Sequence, residues 1–249
     1  MSKQDLTIER ELARRSRRSF LTLGGGLLAG VGTWTYLRSQ PLEGGLPAPF
    51  RRTLEWNEKL TSSILFRDSH LAPEFPSSRV EEIRANGDLG LDDDIENEDW
   101  KLQVTPRGSD VAIELALSDI RTLPRTALIA EFKCIEGWSS VVQWGGVRFR
   151  DFLQRHTLRS EDATYVAMAT PDNEYYIGID MLSALHPQTL LAYEMNGQPL
   201  QNDHGAPLRL ITPVKYGIKN IKRIGSIAFL DRPPRDYWAE RGYDYYAGL

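Results

Sequence analysis

The chain has 249 residues, 41 % of them apolar and 26 % charged, a balance that belongs to ordinary globular proteins and excludes disorder. Its net charge of −4 is unevenly spread: residues 1–40 hold seven Lys/Arg and three acids, which leaves 23 basic and 31 acidic residues, or −8, for the rest. A body of that sign excludes nonspecific nucleic-acid binding, which depends on basic surface, and the length suffices for a core of normal size.

The first element in chain order reads as an address. Arg17-Arg18-Ser19-Phe20-Leu21 resembles the twin-arginine export motif, which a translocase receptor reads. It leads into 18 uncharged residues, Phe20 to Leu37, diluted by five glycines. Residues 1–38 are therefore expected to be a twin-arginine signal, or a membrane anchor through 20–37, with the body delivered to the periplasm or otherwise outside the cytoplasm. That route carries folded proteins, often with a cofactor already loaded. Residues 39–55, opening on "SQPLEGGLPAPF", read as a linker. Residues 56–249 are expected to form one domain.

Within that domain the acidic run "DLGLDDDIENED" (88–99) reads as a solvated loop. "WKLQVTP" (100–106) and "VAIELAL" (111–117) read as strands. In "TALIAEFKCIE", Leu128, Ala130, Phe132 and Cys134 alternate with more polar neighbours at a period of two, which puts Cys134 at the end of a half-buried strand on its apolar face. "RDFLQRH" (150–156) reads as a short helix and "TYVAMAT" (164–170) as a strand. "LLAYEMNGQPLQ" (190–201) carries Asn196-Gly197, the signature of a type I′ hairpin turn. "PLRLITP" (207–213) and "KRIGSIAFL" (222–230) read as further strands. Short strands mixed with few helices, out of βαβ order, predict an α+β fold.

Cys134 is the only cysteine. In an exported protein it has no intramolecular disulfide partner, and a metal site built from cysteine alone needs several thiolates. Four readings stay open on residue chemistry: an inert buried thiol, a redox-sensor thiol, a nucleophile, or the single protein ligand of a metal held mainly by a cofactor.

Two segments favour the last. "KCIEGWSSVVQWGG" is followed by "LLAYEMNGQPLQNDHGAPLRLITPVKYGIKNIKRIGSI". Together they resemble the sulfite-oxidase family of molybdenum–molybdopterin oxidoreductases, closest to its periplasmic methionine-sulfoxide reductases, over roughly residues 64–235. The resemblance implies a sulfite-oxidase-type molybdopterin-binding fold of mixed sheets and short helices, with molybdenum–molybdopterin as cofactor. No immunoglobulin-like dimerisation domain is expected after it, and hence a monomer. It implies Cys134 as the molybdenum ligand, where a soft thiolate suits the metal. It also implies His204, Arg209 and Thr170 as pterin contacts, and Asn220, Ile221 and Lys222 as a loop reaching the cofactor. Arg67 and His70, in "LFRDSHLAP", resemble the Arg-x-x-His segment of sulfite oxidases. Arg209 also suits an anionic phosphate on physical grounds. Tyr175, or its neighbour Tyr176, falls near the family's active-site tyrosine.

Sulfite oxidases follow the cysteine with arginine; here the order is Ile135-Glu136-Gly137-Trp138. Glu136 and Trp138 suit a neutral substrate better than a dianion, so reduction of a small-molecule or protein-bound sulfoxide is expected. Sulfite oxidation by the same centre, and a metal-free exported binding domain that kept the fold, are the alternatives. Electrons are expected from a separate carrier, a membrane haem b subunit or a cytochrome c. Lys215 and Lys219 are expected to be solvated, His156 and His186 to lie on the surface, and Trp138 and Trp144 to pack in the core.

Overall fold

The computed structural model describes residues 3–67, 69–91, 99–156 and 162–249. By internal contacts it divides into two compact units, Met1–Thr53 and Leu54–Leu249. The first holds helix α1 (Lys3–Ser39), on which Phe20, Leu23, Leu27, Leu28 and Trp34 are exposed. No helix among the described residues is long and apolar enough to cross a membrane. The reason lies in the run itself, where glycine, threonine, tryptophan and tyrosine dilute the aliphatic residues. After α1 comes a two-stranded ribbon, β1 (Leu42–Glu43) with β2 (Leu46–Pro47). Helix α2 (Ala48–Leu60) then runs through the stretch expected to be linker. The proline that suggested a linker, Pro49, stands in the first turn of α2, where a missing N–H costs nothing.

The second unit is built on two five-stranded sheets. Its elements are β3 (Lys101–Thr105), β4 (Ile113–Ala116), α3 (Leu117–Arg121), β5 (Arg125–Lys133) and β6 (Ser139–Arg148), then α4 (Phe149–His156), β7 (Tyr165–Ala169), β8 (Tyr176–Asp180) and α5 (Met181–Ala184), and finally β9 (Leu190–Met195), β10 (Gln198–Pro199), β11 (Arg209–Ile211) and β12 (Ser226–Leu230). One sheet has the order β4-β3-β12-β7-β8, in which only the β12–β3 pair is parallel. The other runs β10-β9-β6-β5, with β11 also paired to β9, and is antiparallel throughout. This is the α+β architecture of mixed sheets and short helices that the chain order predicted.

Alternation explains how the second sheet is buried on both faces. Leu191 and Tyr193 of β9 point into a core shared with Leu102, Val104, Ile227, Phe149 and Phe152. Their neighbours Leu190 and Ala192 point into a second core with Leu128, Ala130 and Trp144. Strand β6 changes register at Gly145/Gly146. A Cβ on Gly146 would come within 2.1 Å of the Leu191 carbonyl, so the bulge needs glycine there. Asn196 and Gly197 both have positive φ (52° and 78°) and close the β9–β10 hairpin as the type I′ turn predicted.

Several expectations change. Lys215 and Lys219 are buried, not solvated. His186 is buried too, edge-on to Phe66 at 5.9 Å, and His156 is half-buried on Phe152. Trp144 is core, whereas Trp138 is half-buried and lines a cleft. Of the acidic run, residues 92–98 lie outside the described residues.

Candidate active site

The β5–β6 hairpin sets the position of the cysteine. Lys133 and Ser139 are the last register pair, so residues 134–138 form the loop. The loop closes on itself: the Trp138 carbonyl accepts from the Cys134 N–H at 2.9 Å, and the Cys134 carbonyl accepts from the Gly137 N–H at 3.2 Å. Gly137, at φ 88°, supplies the left-handed residue this closure needs. Cys134 is thereby held half-buried at the strand end.

The loop faces a cleft of about 210 Å³. Cys134, Glu136, Tyr175, His204, Arg209, Asn220 and Lys222 all line it. Thus seven of the side chains singled out from the sequence meet in one place. Ile221 is buried behind the wall, and its carbonyl accepts from Leu210 N–H at 3.0 Å. Thr170 is also behind the wall. Its hydroxyl donates to Asp172 at 2.6 Å and accepts from Tyr175 N–H at 3.1 Å, which fixes the turn that carries Tyr175. Arg67 and His70 are not brought to the cleft. Both are exposed, and the chain after them runs along the β5 edge, where Glu74 bridges Ala130. A spacing of Arg-x-x-His does not fix which sheet edge a segment follows.

A segment that sequence reasoning passed over takes their place. Ile83, Arg84, Asn86, Gly87 and Leu89 line the cleft. The Asn86-Gly87 dipeptide, with Gly87 at φ 76°, is the turn signal that was there to be read. The Lys222 ammonium anchors this segment by donating to the carbonyls of Asn86 at 3.0 Å, Gly87 at 2.8 Å and Asp203 at 2.6 Å. Asn86 Nδ2 approaches Cys134 Sγ at 3.9 Å and Glu136 Oε2 at 3.3 Å.

The electrostatics of the cleft are cationic. Arg209 is 2 % exposed. Its Nη1 donates to the His204 carbonyl at 2.9 Å and its Nη2 to the Asn220 carbonyl at 3.2 Å. The guanidinium lies 4.8 Å from the Trp144 ring centroid. Its buried Nε has no hydrogen-bond partner among the described residues. Burial lowers its pKa to about 9, and no carboxylate among the described residues offsets that. Burial likewise lowers Lys222 to about 8, with Arg209 adding to the effect. His204 is lowered by burial, then by Arg209 and Lys222, and so is neutral at pH 7. Glu136 is the one carboxylate among the described lining residues, and it is paired: Arg84 stands 3.5 Å away and Trp138 Nε1 donates to it at 3.2 Å.

The tyrosine ambiguity resolves. Tyr175 lines the cleft, and its hydroxyl donates to the Ile218 carbonyl at 2.6 Å. Burial raises its pKa far above neutrality, so it stays protonated. Tyr176 points elsewhere, its hydroxyl donating to Glu240 at 2.5 Å.

Residues 89–238 match the family model described as the oxidoreductase molybdopterin-binding domain. The chain belongs to this family of oxidoreductases. It is 34 % identical over 241 residues to the putative protein-methionine-sulfoxide reductase subunit YedZ1 of Azospira oryzae, covering 94 % of this chain and 88 % of that one. It is 29 % identical over 265 residues to the protein-methionine-sulfoxide reductase catalytic subunit MsrP of Campylobacter jejuni, covering 98 % and 84 %. The sulfane dehydrogenase SoxCD of Paracoccus pantotrophus shares the fold, with a TM-score of 0.51 at 17 % identity, over 56 % of this chain and 40 % of that one. The protein is thus a molybdopterin-dependent oxidoreductase, with molybdenum–molybdopterin as its cofactor.

The residues present fit that group. A molybdopterin carries an anionic phosphate and needs one further soft donor for its metal. Arg209 is a buried cation with an orphaned N–H in the cleft wall, and Cys134 is the thiol in the same cleft.

Proposed function

We propose that this protein is an exported enzyme that reduces sulfoxides, with Cys134 as the molybdenum ligand and His204, Arg209 and the Asn220–Lys222 loop as the cofactor cradle. The observation that carries this reading is the buried Arg209 guanidinium, with no counter-ion among the described residues, in the same cleft as the lone thiol. A buried cation of that kind is costly unless an anion completes it.

When bound, the cofactor supplies two-electron oxo transfer; the protein positions it and its reactant. Arg209, whose Nε–H has no partner among the described residues, would hold the phosphate. Asn220 spends its side chain on the Thr212 N–H and the Tyr216 carbonyl, at 2.7 and 3.1 Å, and so presents rigid backbone to the cleft. Neutral His204 donates or accepts without adding charge. Lys222 closes the 83–89 segment over the cavity. Tyr175, with its proton committed to Ile218, acts as a wall and a tie.

The reactant side favours a neutral oxide. Ile83, Leu89, Ile135, Ile218, Trp138 and Trp238 give an apolar lining, and Glu136 offsets Arg84. Curated relatives are named for methionine-sulfoxide reduction, which supports the same reading. The name "catalytic subunit" suits an arrangement in which a separate carrier, a membrane haem b subunit or a cytochrome c, delivers electrons. The Arg17–Arg18 motif, within α1 and ahead of its exposed apolar stretch, supports export by the twin-arginine translocase to the periplasm. Residues 1–38 would be the signal and 56–249 the catalytic domain.

The test is a dye-linked assay of protein purified from the exported fraction, with methionine sulfoxide and sulfite run side by side and molybdenum measured. About one molybdenum per chain with sulfoxide turnover is expected. Metal-free protein from a molybdenum-replete host would sink the enzyme reading, and turnover of sulfite alone would reverse the substrate.

A further inference from the structure

Two cleft walls are formed by segments distant in the chain: the loop 217–222 and the C-terminal stretch 236–243, which contributes Trp238 and Tyr243. They are tied together by a buried ion pair that does not itself line the cleft. Lys219 Nζ lies 2.5 Å from Asp236 Oδ2, and the two side chains are 1 % and 2 % exposed. Lys219 also donates to the Gly178 carbonyl at 2.8 Å, and the Tyr245 ring centroid is 4.3 Å from Nζ. Asp236 accepts from the Gly178 N–H at 3.1 Å and, through Oδ1, from the Ala239 N–H at 3.0 Å, next to Trp238. Every oxygen of the carboxylate is thus used to set the start of the 236–243 segment. A second tie runs parallel: the Tyr175 hydroxyl donates to the Ile218 carbonyl at 2.6 Å, and the Tyr175 ring lies 5.3 Å from that of Tyr237, the residue before Trp238. Trp238 and Tyr243 then stack edge to face at 5.0 Å.

The two walls differ in chemistry. Arg209, His204 and Lys222 stand on the side suited to an anionic cofactor. The Trp238–Tyr243 wall presents aromatic surface and no charged donor, which suits a neutral, apolar-flanked reactant. We propose that Trp238 and Tyr243 form the reactant-selecting wall of the cleft and that the Lys219–Asp236 pair is its positioning brace. The inference rests on the sulfoxide reading for its substrate. The brace fixes the distance between the reactant wall and the cofactor loop through Lys219 and Ile218, adjacent residues on that loop.

A single change such as K219M leaves a buried carboxylate unpaired and risks unfolding. The deciding variant is therefore the double change K219M with D236L, which removes both charges together and leaves only the Gly178 and Ala239 backbone groups without their side-chain partners. Holoenzyme of this variant is expected to hold parental molybdenum and to unfold cooperatively, at a melting temperature below the parent's but above that of K219M. Its KM for methionine sulfoxide should rise about five- to tenfold, about 1–1.4 kcal/mol at 1.4 kcal/mol per tenfold, with kcat changed less than twofold. Acrylamide quenching of Trp238, obtained as the difference between each protein and its W238F form, should rise together with KM. A parental KM and parental quenching in the stably folded double variant would overturn the brace, as would a kcat loss that merely tracks lost molybdenum. Should the parent fail to reduce methionine sulfoxide, the substrate reading fails by itself, and the brace stands or falls on the quenching.

Discussion

Two sets of cations, all buried except the half-buried Lys222, sit close together in the sequence and are completed in opposite ways. Lys215 and Lys219 each meet a carboxylate: Lys215 lies 3.1 Å from Asp180 and Lys219 2.5 Å from Asp236. Arg209 and Lys222 meet backbone carbonyls instead, and Arg209 keeps one N–H unused. A charge satisfied within the chain fixes structure; a charge left over in a cleft prepares for a ligand of opposite sign. By that division Lys215 and Lys219 belong to the chain's own frame, and Arg209 and Lys222 to the proposed cofactor cradle.

Cys134, the proposed metal ligand, offers the strongest test of this division, since it belongs with the second group in proposed function though not in charge. Cys134→Ser should reduce bound molybdenum at least tenfold, because a serine hydroxyl is a harder donor and is not deprotonated at neutral pH. Its melting temperature without metal should stay within a few degrees of the parent's, since the thiol is only half-buried in a loop closed by backbone bonds. Metal analysis and thermal unfolding of the same preparations check both parts. Parental molybdenum in the variant would remove Cys134 from the site.

The next comparison sets Arg209 against Lys219 in cofactor-free protein. K219M should cost roughly 3–5 kcal/mol, because it strands Asp236 in the interior. R209M should cost no more than about 1–2 kcal/mol, since it removes a desolvated cation along with two hydrogen bonds to carbonyls. In the holoenzyme the order should reverse for cofactor content, with R209M losing most of it. Denaturant unfolding with and without cofactor decides this. Equal costs in the apoprotein would mean that Arg209 is a structural ion and not a receptor.

These contrasts were partly legible in the chain. Cys134, His204 and Arg209 could be named because the segments that hold them resemble those of the sulfite-oxidase family; strand alternation by itself placed only the cysteine, at a strand end. The ion pairs were not legible. Lys219 and Asp236 belong to separate segments, and only the pairing of β12 with β7 and the neighbouring β8 brings Gly178 between them. The same holds for β6, whose alternation is broken at the Gly145/Gly146 bulge, and for β8, where Gly178 interrupts the apolar pattern because Tyr245 packs against it. Helix α2 was hidden by its own N-terminal proline. Arg67 and His70 were named on their resemblance to the Arg-x-x-His segment of sulfite oxidases, and the 83–89 segment, which lines the cleft where those two do not, has no regular secondary structure to mark it.

A smaller effect is expected from pH. The Lys222 pKa is lowered to about 8 in the fold, against about 10.4 for an unfolded lysine. The folded state therefore binds fewer protons than the unfolded state between those values. Stability of the apoprotein should rise as pH increases from about 8 toward 10, and the penalty for burying the charged form should be fully present below 8. Lys215, also lowered to about 8, contributes in the same window. Comparison with K222M isolates the Lys222 share. Bound anionic cofactor should favour the charged form and flatten the Lys222 share, so holoenzyme and apoenzyme should diverge above pH 8. Parallel pH profiles for the two would break the assignment of Lys222 to the cofactor side.

The smallest effect concerns Glu136, which stands between the two groups. Its carboxylate is half-exposed, 3.5 Å from a more exposed Arg84, with Trp138 and Asn86 donating to it. Such a pair is worth about 0.2–1 kcal/mol, so E136Q should leave the fold intact and change kcat/KM for methionine sulfoxide by less than about fivefold. What it should change is sign. With the carboxylate neutralised, Arg84 becomes an uncompensated cation at the cleft, and anions gain where a neutral sulfoxide does not. Sulfite should then inhibit sulfoxide reduction more strongly in E136Q than in the parent, by roughly two- to fivefold, and added salt should diminish the gain. Unchanged inhibition would mean that Glu136 does not contribute to selection, leaving the aromatic wall of Trp238 and Tyr243 as the part of the cleft that distinguishes a neutral oxide from a dianion.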